Sequence, residues 1–345
     1  MTTSDDEIFM AAALAEARRG IGTVSPNPAV GAVLVRNGRI VSRGYHRAPG
    51  LPHAEVECLA SAPGGSVQSS TLYVTLEPCS TTGRTPPCTE AIVRAGLGRV
   101  VLGATDPNPS HSGSGIDRLR AAGIAVTTGV LAAECSALNK AFNKWIVSGK
   151  PFVIAKCGMS LDSRLTRPPG EGRWLTGPAA RRHARQLRAE VDAVLIGAET
   201  LRRDNPRLTT RGIPGARQPW RVVLSRSGKL PRDAHLFSDR FAARTLVYRK
   251  QTLPEVLNDL GRREITSVLI EGGGNVLGQA FDARLVDEVQ FYIAPVLAGG
   301  PVLAVPGKGA GSTADGARLS EVRFEKIGPD LLVTGYSRWS AAAGE

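Results

Sequence analysis

A repeated alternation of strand-like and helix-like runs is the feature that most constrains how this chain can fold. In the first half, short runs rich in β-branched residues alternate with helical patterns, and an Asn37-Gly38 turn joins the first two strands. The strand-like runs are 30–35, 39–44, 71–76, 99–103 and 124–127, and the helical runs are 4–19, 54–60, 87–95 and 116–122. Such alternation predicts an α/β layer structure.

A break at residues 148–151, Ser-Gly-Lys-Pro, divides the chain. A further helix is predicted over 131–147, and the Gly and Pro of the break end it. The alternation then resumes, with strands predicted at 152–157, 193–196, 221–224, 267–270, 288–294 and 331–336 and helices at 178–189, 254–261 and 275–283. We expect the last strand to close a sheet edge. A chain of 345 residues suffices for two domains, which we place at 1–149 and 150–345.

Composition narrows the classes of partner. The net charge of +12 favours anionic ligands, but the basic residues are scattered and aromatics make up only 5% of the chain. Nucleic acid and small phosphorylated substrates are both candidates, and net charge alone does not decide between them. The longest apolar runs fall well short of the roughly 20 residues of a membrane helix, and the acidic N-terminus is unlike a signal peptide. These features predict no membrane partner and a cytoplasmic location.

Four residues of the first half form a pattern that is typical of catalytic zinc sites. His53 and Glu55 flank Ala54 at a predicted helix start, Cys79 follows a predicted strand after Pro78, and Cys88 opens the next helix. One histidine and two thiolates leave the fourth position of zinc open to water. A glutamate that does not bind the metal can carry a proton from this water to a leaving amine. The pattern therefore predicts hydrolytic deamination, with Glu55 as the acid–base.

Each of these residues alone has an ordinary structural explanation, because His-x-Glu occurs on surfaces and cysteines often pack in cores. The combination at strand and helix ends is what carries the zinc interpretation. His46 is the nearest rival metal ligand, although we expect it to be a residue at the end of the hairpin near the pocket. The remaining cysteines are expected to pack in the interior: Cys58, Cys135 and Cys157.

The residues of the second half of the chain indicate a function less directly. A buried-strand pattern at 267–270 is followed by Glu271-Gly272-Gly273-Gly274-Asn275, which opens a helix. Glycines between a strand and a helix N-terminus can hold a phosphate with backbone N–H groups. The motif is not the G-x-G-x-x-G fingerprint, and a simple tight turn explains it equally well. From the residues alone, both explanations stay open.

Residues 1–147 resemble the deaminases of riboflavin biosynthesis in three features. These are the eight-residue insert between Cys79 and Cys88, the block Pro26-Asn27-Pro28-Ala29-Val30-Gly31-Ala32-Val33, and the run Asp106-Pro107-Asn108-Pro109. The resemblance implies that the fold is of the cytidine-deaminase α/β/α type and that Asn27 contacts the pyrimidine. Arg84, in the insert, would contact the phosphate or the ring. Thr81 and Thr82 stand where the family often has aromatic residues or histidine, which alters the rim of the pocket.

Residues 150–338 resemble the reductases of the same pathway, which have a dihydrofolate-reductase-like α/β fold. The matching runs are Lys156–Asp162, Trp174-Leu175-Thr176, Leu187-Arg188-Ala189, Asp204–Thr209 and Ile270–Gly273. Cofactor contacts are implied at Gly158, Trp174, Thr200, Asp204, Glu271, Gly272 and Gly273. Substrate contacts are implied at Arg188, Leu208, Arg211 and Glu271, and both arginines suit a ribose phosphate. The sequence departs from the family pattern at Ser163, Gly172, Glu199 and Asn205.

The two resemblances together imply a two-step enzyme that uses Zn²⁺ and NADPH and forms a dimer or a higher homo-oligomer. They imply a phosphorylated pyrimidine as the substrate and no nucleic acid as a partner. The first domain would deaminate 2,5-diamino-6-ribosylamino-4(3H)-pyrimidinone 5′-phosphate, and the second would reduce its ribosyl group to ribityl. The departures in the second domain leave a deaminase with an inactive reductase-like domain as one alternative. Another is a deaminase of nucleosides or RNA bases with an appended binding module.

Overall fold

A computed structural model describes residues 3–63, 67–165 and 174–339, and the chain divides into two compact units, Met1–Gly149 and Lys150–Glu345. Within these described ranges, no helix is both long enough and apolar enough to cross a membrane.

The first unit contains a five-stranded sheet with helices on both faces. Its elements are α1 (Thr3–Arg18), β1 (Gly31–Arg36), β2 (Arg39–Tyr45), α2 (Ala54–Ala60), β3 (Thr71–Leu76), α3 (Cys88–Ala95), β4 (Arg99–Ala104), α4 (Ser114–Ala121), β5 (Ala125–Thr127), α5 (Ala132–Leu138) and α6 (Lys140–Ser148). The strand order is β2-β1-β3-β4-β5, in which β1 runs antiparallel to both neighbours and β3, β4 and β5 are parallel.

Alternate side chains of β1 enter two different cores. Ala32 and Leu34 join a buried cluster with residues of α2, α3 and α4, whereas Val33 and Val35 join one with residues of α1 and α5. This two-residue periodicity is what a central strand covered on both faces requires. The predicted α/β/α arrangement of this unit is confirmed.

The single helix predicted over 131–147 is wrong, because the structure has two helices, α5 and α6, that meet at Asn139. The backbone of Asn139 leaves helical geometry, with φ −107° and ψ 22°. Its side chain is buried and makes two hydrogen bonds to the backbone of Ala29, 110 residues away. An asparagine that bonds a distant backbone competes with helix continuation, and local periodicity does not reveal such a partner.

The second unit is built on an eight-stranded sheet. Its elements are β6 (Phe152–Ser160), α7 (Pro178–Glu190), β7 (Ala193–Gly197), α8 (Ala198–Asp204), β8 (Trp220–Leu224), α9 (His235–Ser238), a 3₁₀ turn (Ala242–Arg244), β9 (Thr245–Tyr248), α10 (Leu253–Arg262), β10 (Ser267–Ile270), α11 (Gly274–Asp282), β11 (Glu288–Ala294), β12 (Arg318–Ile327) and β13 (Asp330–Arg338). Four of these helices and strands, α8, α9, β9 and β12, have no counterpart among the predicted elements, and neither has the 3₁₀ turn.

The strand order of this sheet is β12-β13-β11-β6-β10-β7-β8-β9. The strands from β11 to β9 are parallel, and β13 and β12 add an antiparallel hairpin. The prediction that 331–336 closes a sheet edge is wrong, because β13 lies between β11 and β12. The edge is formed by β12, whose side chains are mostly exposed and which therefore lacks the alternation that identifies a strand.

Candidate active sites

The three candidate zinc ligands of the first unit lie at the ends of secondary-structure elements. His53 is the N-cap of α2, Cys79 comes shortly after β3, and Cys88 is the first residue of α3. Both helices pack on the same face of the sheet, where Cys58 of α2 and Ile92 of α3 share one buried cluster. The fold thus brings together three side chains that the sequence separates by up to 35 residues.

The spacing of these side chains suits zinc. The candidate ligand atoms of His53, Cys79 and Cys88 all lie within 4.8 Å of one another. His53 Nδ1 is 3.5 Å from Cys79 Sγ and 3.2 Å from Cys88 Sγ. Zinc ligand bonds of about 2.0–2.3 Å in tetrahedral geometry place neighbouring ligand atoms roughly 3.3–3.8 Å apart. Thr85 Oγ1 lies 3.3 Å from Nε2 of His53, so the nitrogen that faces the thiols is Nδ1.

The electrostatics of the pair of cysteines also favour a cation. A hydrogen bond from the Cys88 thiol lowers the pKa of Cys79 to about 4, and His53 contributes in the same direction against the effect of burial. The neighbouring Cys79 thiolate, together with burial, raises the pKa of Cys88. Two thiols that share one negative charge in this way become fully deprotonated when a divalent ion binds them.

Glu55 lies in the first turn of α2, two residues from His53, and its side chain is buried. Burial raises the pKa of its carboxyl group to about 7. Its Oε2 atom is buried and has no hydrogen-bond partner within the described residues. Buried carboxylate oxygens are normally paired, and an unpaired one beside a metal-binding cluster is suited to a water or a substrate amine.

Asn27 reaches the same site through His46. His46 Nδ1 lies 3.1 Å from the Pro52 carbonyl oxygen, which can only accept, so this nitrogen carries the proton. Burial lowers the pKa of His46, and its neutral Nε2 accepts a hydrogen bond of 3.0 Å from Asn27 Nδ2. The His46 ring lies edge-on to that of His53, 5.2 Å between centroids, and outside the three-residue metal cluster.

The segment between the two cysteines carries the other candidate contact of this site, Arg84, whose side chain is exposed. The other three cysteines are buried and unbridged: Cys58, Cys135 and Cys157.

Glu77 is a buried residue of this site that the sequence reasoning missed. It directly precedes Pro78-Cys79, and its carboxylate accepts hydrogen bonds from four backbone N–H groups. The donors are Asp106 (3.2 Å), Gly113 (3.0 Å), Gly115 (2.9 Å) and Ile116 (3.4 Å). It therefore fixes the start of α4 and the 106–113 segment next to Cys79. A glutamate between a buried strand and a proline was the available signal, but its partners lie 29–39 residues away.

In the second unit, a cavity of about 640 Å³ opens where β7 and β10 end. Its lining includes all ten residues to which a cofactor or substrate contact was assigned: Gly158, Trp174, Arg188, Thr200, Asp204, Leu208, Arg211, Glu271, Gly272 and Gly273. The structure thus brings together residues that are dispersed over more than 110 positions of the sequence. At the end of β10, a Cβ at Gly273 would lie 3.1 Å from Thr200 Oγ1, so a side chain there would crowd the cavity wall.

Cationic side chains dominate this cavity. Two carboxylates, Asp204 and Glu271, line it together with six lysine and arginine residues, of which Lys156, Arg181, Arg185 and Arg207 were not predicted. The others are Arg188 and Arg211. Burial lowers the pKa of Arg211, and the nearby Arg188, Arg185 and Arg207 lower it further. A cluster of like charges in a partly enclosed cavity attracts an anion such as a phosphate.

Arg188 and Glu271 form a buried ion pair in the cavity wall. Arg188 Nε and Nη2 donate to the two carboxylate oxygens at 2.5 and 2.8 Å, and Nη1 donates to the Thr209 carbonyl at 3.3 Å. Burial raises the pKa of Glu271, but the attraction of Arg188 outweighs it and leaves the pKa below its usual value. One bidentate edge of Arg188 therefore faces Glu271.

Three of the four departures from the family pattern lie within the described residues. Ser163 and Asn205 both have positive φ, 60° and 39°, and Asn205 Oδ1 accepts a hydrogen bond of 2.9 Å from the His235 N–H. Glu199 pairs with Arg202 and Arg203 on the exposed side of α8. Gly172 lies outside the described residues.

Comparison with known proteins first defines the class of each unit. Residues 3–104 match the family model of the cytidine and deoxycytidylate deaminase zinc-binding region, and residues 151–333 match that of the RibD C-terminal domain. The chain therefore joins a zinc deaminase domain to a reductase domain.

Full-length relatives identify the family. The riboflavin biosynthesis protein RibD of Synechocystis sp. is 40% identical over 96% of both chains, and that of Escherichia coli K12 is 38% identical over 95% of this chain and 98% of its own. Among solved structures, Acinetobacter baumannii RibD has 33% identity and a TM-score of 0.89, covering 98% of this chain and 100% of its own. The Thermotoga maritima deaminase/reductase has 33% identity and a TM-score of 0.87, covering 97% and 99%.

The chain belongs to the RibD family of riboflavin biosynthesis proteins. It is a bifunctional deaminase and reductase that uses Zn²⁺ and NADPH. The predicted fold class, enzyme class and cofactors are confirmed.

Proposed function

We propose that the first unit hydrolyses the 2-amino group of 2,5-diamino-6-ribosylamino-4(3H)-pyrimidinone 5′-phosphate, and that the second unit reduces the ribosyl group of the product to ribityl. The observation that carries this proposal is the cluster of His53, Cys79 and Cys88 beside the unpaired carboxylate oxygen of buried Glu55. A bound zinc ion would supply the Lewis acidity that makes water nucleophilic near neutral pH.

The residues of the first unit then have defined tasks. Glu55 takes a proton from the attacking water and delivers it to the departing amine, so that a carbonyl replaces the carbon–nitrogen bond and ammonia leaves. Asn27 orients the ring: because its Nδ2 is occupied by His46, its Oδ1 is the end that accepts from a ring N–H. Arg84 contacts the phosphate or the ring from the exposed insert.

In the second unit, the cavity binds both the substrate and the cofactor. Arg211, surrounded by Arg185 and Arg207, holds the substrate phosphate, and Leu208 packs beside it. Arg188 holds the Glu271 carboxylate in place beside both ligands. The cofactor-facing wall consists of Gly158, Trp174, Thr200, Asp204, Gly272 and Gly273. NADPH supplies the hydride, and the protein aligns the two reacting groups and excludes water.

Zinc content measured on variants in which one cysteine is replaced by serine tests the assignment of the metal ligands. We expect Cys79→Ser and Cys88→Ser to lose bound zinc and ammonia release while they keep reduction of the pre-deaminated substrate. Cys58→Ser is the matched control, because Cys58 is buried in α2 but lies outside the metal cluster. Full zinc content in Cys88→Ser would contradict the assignment.

We also propose that the chain is a cytoplasmic homo-oligomer. A cytoplasmic location suits a site built from two thiols, which must stay reduced. Oligomerisation is supported by apolar side chains on the terminal hairpin of the second unit: Val322, Phe324 and Leu331 are 39%, 70% and 40% exposed. Exposed apolar patches commonly mark protein interfaces. Sedimentation of wild type and Phe324→Glu tests this, and a monomeric wild type would contradict it.

A further inference from the structure

A buried amide connects the end of the first unit to its pyrimidine-binding segment. Asn139, between α5 and α6, is only 5% exposed. Its Oδ1 accepts a hydrogen bond of 2.7 Å from the Ala29 N–H, and its Nδ2 donates one of 3.0 Å to the Ala29 carbonyl. The oxygen and the nitrogen of this side-chain amide therefore both bond the backbone of Ala29. This paired arrangement reproduces what a neighbouring strand provides within a sheet.

The segment that it holds has few hydrogen bonds of its own. Residues 26–29 read Pro-Asn-Pro-Ala, and the two prolines have no N–H, so backbone donors exist only at Asn27 and Ala29. The Asn27 N–H bonds the Val24 carbonyl at 2.9 Å, which is a local turn. The long-range hydrogen bonds that hold the Ala29 backbone are the two bonds to Asn139. The position of Asn27 relative to the zinc ligands thus depends on Asn139 as well as on His46.

We propose that Asn139 is a positioning residue of the deaminase, which fixes the backbone that presents Asn27 to the pyrimidine. The proposal rests on the proposed role of Asn27. Asn139 lies beyond the matched zinc-binding region, which ends at residue 104. The segment after β5 is therefore a working part of the deaminase site as well as the connection to the second unit.

The two hydrogen bonds between Asn139 and the Ala29 backbone require a side-chain amide of this length. Asn139→Asp keeps an acceptor for the Ala29 N–H but places a carboxylate oxygen against the Ala29 carbonyl. Asn139→Ala leaves a buried donor and a buried acceptor of Ala29 without these partners, which is costly in an enclosed site. Both changes release the segment, so each is expected to reduce kcat/KM for deamination by at least tenfold, mainly through a higher KM.

A double-mutant cycle separates positioning from general stability. Asn27→Ala, Asn139→Ala and the double variant are assayed for ammonia release in the zinc-loaded full chain. If Asn139 acts through Asn27, Asn139→Ala reduces kcat/KM by at least tenfold in the wild type but by less than about twofold in the Asn27→Ala background. In all three variants, zinc content and reduction of the pre-deaminated substrate are expected to stay at wild-type levels.

Asn143→Ala is the matched control: the side chain of this asparagine in α6 donates to the nearby Ser136, and its backbone N–H bond to the Asn139 carbonyl is kept in the alanine variant. This variant is expected to leave kcat/KM unchanged. Full additivity in the cycle, or loss of zinc in both Asn139→Ala and Asn139→Asp, would overturn the inference and make the residue merely structural. If Asn27→Ala impairs deamination and Asn139→Ala does not, the inference alone fails. If Asn27→Ala has no effect, the proposed role of Asn27 fails with it.

Discussion

Removal of Arg188 should destabilise the second unit far more than removal of its neighbour Arg211. Arg188→Met leaves the Glu271 carboxylate, 6% exposed, without its bidentate partner. Loss of one member of a buried pair costs about 3–5 kcal/mol. Lys156 Nζ, 3.9 Å from Glu271, compensates part of this, so we expect the lower end. About 3 kcal/mol corresponds to a fall in Tm of roughly 6–12 °C for a unit of this size.

Calorimetry of the full chain provides the test, with Arg211→Gln as the matched control. Arg211 lies among like charges, so this change should leave the Tm of the second unit within about 2 °C of wild type or raise it. A double variant, Arg188→Met with Glu271→Gln, should regain at least about 1 kcal/mol because no unpaired buried charge remains.

The same pair has a defined pH dependence. The pKa of Glu271 is lowered in the folded protein, so its contribution to stability is present above the ordinary glutamate pKa and is lost as the pH falls. The Tm difference between wild type and Arg188→Met should therefore narrow below about pH 4. A Tm loss under about 2 °C for Arg188→Met at neutral pH, or a double variant less stable than the single one, would refute this reasoning.

Three further predictions concern activity and backbone strain. Glu55→Gln should retain zinc yet abolish ammonia release, whereas persistent release would exclude Glu55 as the acid–base. Arg211→Gln should raise the reductase KM about tenfold or more for the phosphorylated substrate and little for a dephosphorylated one. Arg203→Gln, on exposed α8, is the control. An equal change in KM for both substrates would contradict the phosphate assignment. Ser163→Gly should raise stability by about 0.5 kcal/mol, because φ of 60° strains serine; Ser163→Ala should not, and a loss of stability in Ser163→Gly would contradict this.

The cluster of candidate zinc ligands could be predicted from the sequence because its chemistry depends on residue types at the ends of recognisable elements. His53, Cys79 and Cys88 each lie at such an end, and their order along the sequence indicated the type of site. Most of the cavity of the second unit could be predicted only through resemblance, since its lining residues outside the glycine turn at 271–273 form no local pattern. The excess of lysine and arginine over carboxylate side chains in this cavity could be recognised only from the folded structure.

The features that were missed depend on partners far along the chain. Asn139 bonds a residue 110 positions away, and Glu77 bonds the start of a helix 38 positions away. Nothing in the local periodicity marks either residue. Strand β12 was missed for the opposite reason: most of its side chains face solvent, so no alternation of apolar residues reveals it.

The most direct test of the two-step reaction is the mass spectrum of the products after zinc-loaded protein has been incubated with 2,5-diamino-6-ribosylamino-4(3H)-pyrimidinone 5′-phosphate and NADPH. We predict a product in which an amino group has been exchanged for oxygen and two hydrogens have been gained. Loss of the amine without the gain of hydrogen would contradict the reduction step, and unchanged substrate would contradict the assignment of both units.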